Sequence, residues 1–159
     1  MLKRIWADYK PEIILIPLIF ALDRLSKIWA LAQLQHVGSI QIAPFFRLTY
    51  VENTGTAFGI FQNANYFWAA MAFIVLIMLF KWRSEFLKAG PGARYALIFI
   101  MAGALGNLYD RMVLGYVVDY FDFIIWPVFN IADSFISIGA VILAVLLLKD
   151  IFGRKNKNA

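Results

Sequence analysis

The chain has 159 residues, of which 62% are hydrophobic and only 16% charged, against roughly 45–50% apolar residues in soluble domains. That composition excludes an ordinary water-soluble domain and predicts a membrane protein. Cysteine is absent, which excludes disulfides, thiolate catalysis and cysteine-based zinc sites, and the net charge of +5 reads as topological, because a nucleic-acid footprint would need a basic face with groove-reading residues.

Lys3 and Arg4 precede an apolar run in the manner of a signal peptide. The run then meets Asp23, Arg24 and Lys27 where a small-residue cleavage site would stand, so it reads as a retained anchor. Asp23 and Lys27 lie at i and i+4 with the acid N-terminal, the favourable order for an ion pair on one helix face. His36, the single histidine, has no Ser or Cys near it and reads as an ordinary surface residue. Neither a Ser-His-Asp arrangement nor a His-rich metal site is available, and no cofactor is implied.

In the connection from about Gln35 to Asn65, Phe46, Leu48 and Tyr50 alternate with Arg47, Thr49 and Val51. That period of two predicts a strand with one wet face. Ser39 to Ile42 can pair with it across Ala43-Pro44, while Gly55 and Gly59 suit tight backbone beyond. An open sheet edge cannot lie in lipid, so this sheet belongs at or above the interface, with Trp29, Phe45 and Phe46 near headgroups.

A second apolar stretch, Tyr66 to Phe80, is rich in aromatics and Met and reads as lipid-facing or core surface. A third, Tyr95 to Tyr109, carries Gly103 and Gly106, which permit close helix packing, and then Asn107, Asp110 and Arg111. The stretch Val117 to Phe123 holds Asp119 and Asp122. A fourth apolar stretch, Phe129 to Leu148, has Asp133 near its start. Pro127 precedes Asn130, an N-cap candidate with Asp133 three positions later in the first turn. Arg154, Lys155 and Lys157 form a basic tail suited to anionic lipid.

With flanks, each apolar stretch reaches the ~20 residues of a spanning helix. The predicted fold class is an all-α polytopic membrane protein. Four transmembrane helices, at about 12–33, 65–83, 94–112 and 129–149, accompany a small exterior β-sheet between the first and second helices (35–62), in one membrane-embedded domain over 1–159. Lys and Arg collect before the first span, between the second and third, and after the fourth. Only Arg24, Lys27, Arg47 and Arg111 remain for the other side, so both termini are predicted to be cytoplasmic.

Carboxylates beside hydrocarbon cost at least a few kcal/mol and are by default functional. Asp119 or Asp122 could partner Asp133. Residues three apart in an extended segment face opposite sides, so at most one of the two can aim at it; the bland reading of Asp122 is a solvated loop carboxylate. Two carboxyl groups a few Å apart share a proton, with apparent pKa values that belong to the pair. The helix dipole favours ionised Asp133 and leaves the shared proton on its partner. The alternative function is a small proton-coupled transporter, since intramembrane acids also mark ion pathways. Against it, Asp23, Lys27, Arg111, Asp119 and Asp133 gather toward one face, without paired halves or helices broken at mid-membrane.

The chain resembles the signal peptidase II family, the bacterial lipoprotein signal peptidases, over nearly its whole length. The resemblance rests on Asp23-Arg24-Leu25-Ser26-Lys27, Asn53-Thr54-Gly55-Thr56-Ala57-Phe58, the run Gly103 to Arg111, Val117-Val118-Asp119-Tyr120, and Phe129-Asn130-Ile131-Ala132-Asp133-Ser134. It implies an aspartic dyad of Asp119 and Asp133 in the bacterial inner membrane, with the active site toward the exterior. The reaction it implies is cleavage of a prolipoprotein before a diacylglyceryl-modified cysteine. It further implies that Asn53, Asn107, Arg111 and Asn130 bind substrate or position the dyad and that Asp23 and Lys27 support the site. A monomer is expected, and the residues themselves point to no metal and no nucleic acid. Thr56, Gly59 and Tyr109 depart from the family's commoner residues without removing a polar role.

Overall fold

A computed structural model of the chain describes residues 2–55 and 64–157. Thr56 to Gly59 and the side chains of Arg154, Lys155 and Lys157 lie outside the described residues. The order of elements is α1 (Leu2–Leu34), β1 (Ser39–Ala43), β2 (Phe46–Asn53), α2 (Asn65–Lys81), α3 (Arg83–Lys88), α4 (Pro91–Val113), β3 (Val117–Asp122) and α5 (Ile131–Lys157).

The helices α4 and α5 are long and apolar enough to cross a membrane; α2 is apolar but 17 residues long. α1 is longer still, with Asp23, Arg24 and Lys27 in its C-terminal half. Large apolar side chains stand exposed along the outer faces, among them Leu25, Phe73 and Val141, a surface suited to hydrocarbon. α4 is the hub. It packs on α1, α2, α3 and α5, and small residues let its neighbours come close. A Cβ at Gly103 would run into the Ala132 carbonyl of α5, and one at Gly106 would lie 2.5 Å from Asp23 Oδ2 of α1.

At one end of the bundle stands an antiparallel sheet in the order β1-β2-β3. β1 pairs with β2 as the alternation predicts, Ser39 opposite Thr49 and Ile40 opposite Leu48. The sheet is not confined to the connection between the first two helices: its third strand is Val117–Asp122, between α4 and α5. The architecture is therefore mainly helical with a three-stranded sheet. β3 escapes a period-two search because both its faces are covered, and all its residues but Phe121 are buried.

The pairing of β2 with β3 changes register part-way. Arg47 stands opposite Asp122 and Leu48 opposite Phe121, whereas Val51 stands opposite Asp119 and Asn53 opposite Val117. Thr49 and Tyr50 thus face the single residue Tyr120, a β-bulge. Opposed residues share a face, so this extra residue flips the side chains of β2 from one face to the other. Arg47 and Thr49 face Asp122, and Asn53 faces Asp119.

Candidate active site

Asn130 caps α5 as its sequence context predicts. Its side-chain Oδ1 accepts from Asp133 N at 2.9 Å, and its own backbone N donates to Asp133 Oδ2 at 3.2 Å, a reciprocal capping arrangement. The capping residue also reaches the other carboxylate, since Asn130 Nδ2 donates to Asp119 Oδ1 at 2.6 Å. One asparagine, itself fully buried, therefore holds Asp119 on β3 and Asp133 on α5 together.

Each carboxyl group has a second donor. Asp119 Oδ2 accepts from Asn53 Nδ2 at 2.9 Å, and Asn53 Oδ1 accepts from Gly55 N at 3.0 Å, which fixes the rotation of that amide. Asp133 Oδ1 accepts from Asn107 Nδ2 at 2.7 Å. Asn107 Oδ1 in turn accepts from Lys27 Nζ at 2.8 Å and from Asn130 Nδ2 at 3.1 Å. An ammonium can only donate, so Lys27 dictates which end of the Asn107 amide meets Asp133.

Behind this layer lies a buried charge network. Lys27 Nζ stands 2.8 Å from Asp23 Oδ2, the predicted i, i+4 pair, and 2.9 Å from Asp110 Oδ2. Asp110 is also paired with Arg24. Asp23 Oδ1 accepts from Ala132 N at 2.9 Å, which ties the first turn of α5 to α1. Asp23, Lys27 and Asp110 are essentially inaccessible, and burial on this scale requires paired charges. Asp110 and Arg24 escape a reading of sequence, where Asp110 shows only as a neighbour of Asn107; the i, i+3 spacing from Asn107 is the one signal that could have found it.

Asp119 and Asp133 line one cleft of about 600 Å³ with Asn53, Asn107 and Arg111, and its wall includes apolar Val117, Val128, Phe129, Ile136 and Ile138. Arg111 donates from Nη2 to Gly55 O at 3.0 Å, and Asn65 Nδ2 donates to the Arg111 carbonyl at 3.0 Å. Burial, and next the charge of Asp133, push the Asp119 carboxyl up to about 7, against the opposing pull of Asn53, Asn130 and Lys27. Asp122 is elsewhere. It is not the solvated loop carboxylate of the bland reading but a buried one, 3% exposed, bonded to Arg47 and Thr49 on the opposite face of the sheet. His36 is exposed, as its sequence context predicts.

Residues 15–149 match the family model of signal peptidase (SPase) II. The chain belongs to the signal peptidase II family. It is 46% identical over 140 residues to a lipoprotein signal peptidase of Clostridioides difficile, covering 86% of this chain and 93% of that one. With a lipoprotein signal peptidase of Alteromonas mediterranea it shares 41% identity over 141 residues, 84% of this chain and 78% of that one. Two solved bacterial membrane enzymes resemble it in three dimensions. One gives a TM-score of 0.75 at 30% identity, covering 89% of this chain and 90% of the other; the second gives 0.72 at 31%, covering 89% and 94%. Membership of the signal peptidase II family makes the chain a peptidase that removes signal peptides from lipoproteins.

Proposed function

We propose that this member of the signal peptidase II family is an aspartic endopeptidase in which Asp119 and Asp133 activate a water molecule against the peptide bond preceding a diacylglyceryl-modified cysteine. The observation that carries the reading is Asn130, whose backbone and side-chain amides donate to Asp133 at 3.2 Å and Asp119 at 2.6 Å. That arrangement holds two carboxyl groups at one cleft where one retained proton serves both.

Roles follow from surroundings. Asp133 sits in the first turn of α5, where the helix dipole favours negative charge, and the oriented Asn107 amide adds a donor. Asp119, with its carboxyl pushed up to about 7, holds the shared proton near neutrality. In the forward step Asp133 takes a proton from water as the water oxygen bonds to the scissile carbonyl carbon. Asp119 gives its proton to the carbonyl oxygen, forming a neutral tetrahedral diol. In the second step Asp133 returns a proton to the leaving nitrogen, the C–N bond breaks, and Asp119 recovers its proton from a diol hydroxyl as the carboxylic acid forms. Arg111, on the cleft wall, holds the substrate backbone, and Asn53, Asn107 and Asn130, each bonded to a dyad carboxyl group, position the dyad. Asp23 and Lys27 support the site, with Gly103 and Gly106 allowing the helices the approach it needs.

The apolar wall formed by Val128, Phe129, Ile136 and Ile138 suits a lipid-bearing substrate that arrives sideways from the bilayer. We place the site toward the exterior face of the bacterial inner membrane, with both termini cytoplasmic and four helices spanning. The relatives' name, lipoprotein signal peptidase, supports this substrate class. The test is cleavage by the purified protein of a prolipoprotein with and without its diacylglyceryl group. Cleavage of the modified precursor alone is expected, with complete loss in Asp119→Asn and Asp133→Asn; retained cleavage in either variant would overturn the dyad.

A further inference from the structure

Asp122 is the carboxylate of the 117–123 stretch to which this chemistry gives no role, yet it is almost fully buried and both its oxygens are engaged. Oδ2 accepts from Arg47 Nε at 2.5 Å and from Thr49 Oγ1 at 2.9 Å, both on β2. Oδ1 accepts from Ile124 N at 2.8 Å. Ile124 has a φ of 69°, a left-handed conformation that a β-branched residue rarely adopts and that persists only where surrounding contacts impose it. It opens the short loop that carries Trp126, Pro127 and Val128 to the cleft wall.

The bulge gives these contacts a consequence at the dyad. Arg47 and Thr49 lie on the side of the bulge where β2 faces Asp122, and Asn53 lies beyond it. Had the register of Arg47 with Asp122 continued unbroken, Asn53 would point to the face away from Asp119. The strand is thus pinned at two carboxylates on opposite faces, Asp122 before the bulge and Asp119 after it.

We propose that Asp122 is a positioning residue for the peptidase reaction: by gripping Arg47 and Thr49 it sets the bulged register that presents Asn53 to Asp119, and by capping Ile124 it fixes the cleft wall beside the dyad. This rests on the aspartic-peptidase reading above.

Among the described residues the groups facing Asp119 are Asp133 from α5, Lys27 from α1, Arg111 from α4, and the neutral amides of Asn53 and Asn130. Asp122 bonds to none of them. Facing Asp122 itself is Arg47, and though burial works against its charge, the bonds from Arg47, Ile124 N and Thr49 hold its carboxyl below the usual range. The Asn53 bond favours ionised Asp119, so losing it leaves Asp119 protonated to higher pH.

The test is an infrared titration of the Asp119 carbonyl band in the full chain in phosphatidylglycerol vesicles, the band being assigned by its loss in Asp119→Asn. Wild type is compared with Asn53→Ala, Asp122→Asn, Arg47→Gln and the double variant Asn53→Ala with Asp122→Asn. Each single variant is expected to raise the midpoint by about 0.5–1 pH unit, and the double variant to raise it no further than Asn53→Ala alone. A midpoint unmoved in Asp122→Asn, or an additive shift in the double variant, overturns the proposal. Should Asp122→Asn fail to fold, Arg47→Gln, at a half-exposed position, decides between the same two outcomes alone and combined with Asn53→Ala. Lipidated-precursor cleavage, run in parallel, separates the readings. Cleavage retained in Asp119→Asn removes the dyad and this inference together, whereas cleavage lost there with an unmoved band in Asp122→Asn removes the inference alone.

Discussion

Lys27 stands 2.8 Å from Asn107 Oδ1, and that contact fixes the far end of the Asn107 amide as a donor to Asp133. Lys27 is also the cation facing buried Asp23. Lys27→Met removes both effects, leaving Asp23 as an uncompensated buried charge while Asp110 keeps Arg24. The loss of stability is expected to be about 3–5 kcal/mol, read as a fall in thermal midpoint in detergent. Adding Asp23→Asn should restore much of it, because the Asn carbonyl still accepts from Ala132 N. Cleavage should stay low in the double variant, since only the longer bond from Asn130 Nδ2, at 3.1 Å and shared with Asp119, then orients Asn107; recovery of activity together with stability would show Lys27 to be structural only.

Asp119→Asn is expected to be inactive and, above neutrality, more stable than wild type. The sign follows from proton binding. The native dyad keeps a proton up to about 7, whereas an unfolded aspartic acid releases it near its ordinary value of 3.8. Between those values the native state binds more protons, so wild-type stability falls as pH rises through this window and is flat beyond it. The variant has no such group and escapes the loss. At pH 8 it should exceed wild type by on the order of 4 kcal/mol, and at pH 4 the two should converge. Thermal unfolding at both pH values measures the difference, and equal curves at pH 8 would contradict it.

Much of this architecture is legible in the sequence, for physical reasons. Apolar runs report helices because hydrocarbon imposes one-sided demands on length and composition, and the β1–β2 hairpin shows because its strands have one wet face. β3 does not show, because a strand covered on both faces has no alternation, and its partner β2 lies more than 60 residues earlier. Asn130 is readable as a cap from its neighbours, and Asp23 with Lys27 from i, i+4 spacing. The burial of Asp122 is not, since it depends on Arg47 lying opposite, and a bulge in one strand leaves no mark in the other. Asp110 is hidden for the same reason: its partners Lys27 and Arg24 belong to a different helix. α3 is missed because its basic residues read as a loop.

At the end of the bundle away from the sheet, Glu12 of α1 accepts from Arg94 at 2.6 Å and 3.1 Å and from Arg83 at 3.1 Å. One carboxylate thus joins α1 to α4 and to the start of α3. Glu12→Gln keeps the shape but removes the charge that two guanidinium groups share. Because both arginines retain some solvent contact, the cost should be moderate, about 1–2 kcal/mol, and smaller in high salt. Cleavage per folded molecule should be unchanged, because nothing in this cluster touches the cleft. Activity and unfolding of the same preparation check both halves.

Gly103 offers the sharpest test of how helix packing places the dyad. A Cβ there would strike the Ala132 carbonyl and come 2.8 Å from Ile136 Cγ1. Both belong to the first turns of α5, the segment that carries Asp133 and that Asn130 caps. A backbone carbonyl cannot swing aside as a flexible side chain can, so Gly103→Ala must push α5 away from α4. Overpacking of this kind costs about 1–3 kcal/mol, and the displacement should stretch the 2.7 Å bond from Asn107 to Asp133. Activity should therefore fall by about tenfold or more, beyond what the unfolded fraction explains, because small misplacements of reacting groups are costly. Gly153→Ala is the control. It lies near the far end of α5 with no described atom within 4 Å of the new methyl, so it should match or slightly exceed wild type in stability, in line with alanine's helix preference. If Gly103→Ala lost stability but kept full activity in its folded fraction, the close approach of α4 and α5 would serve folding alone and leave the placement of Asp133 to its hydrogen bonds.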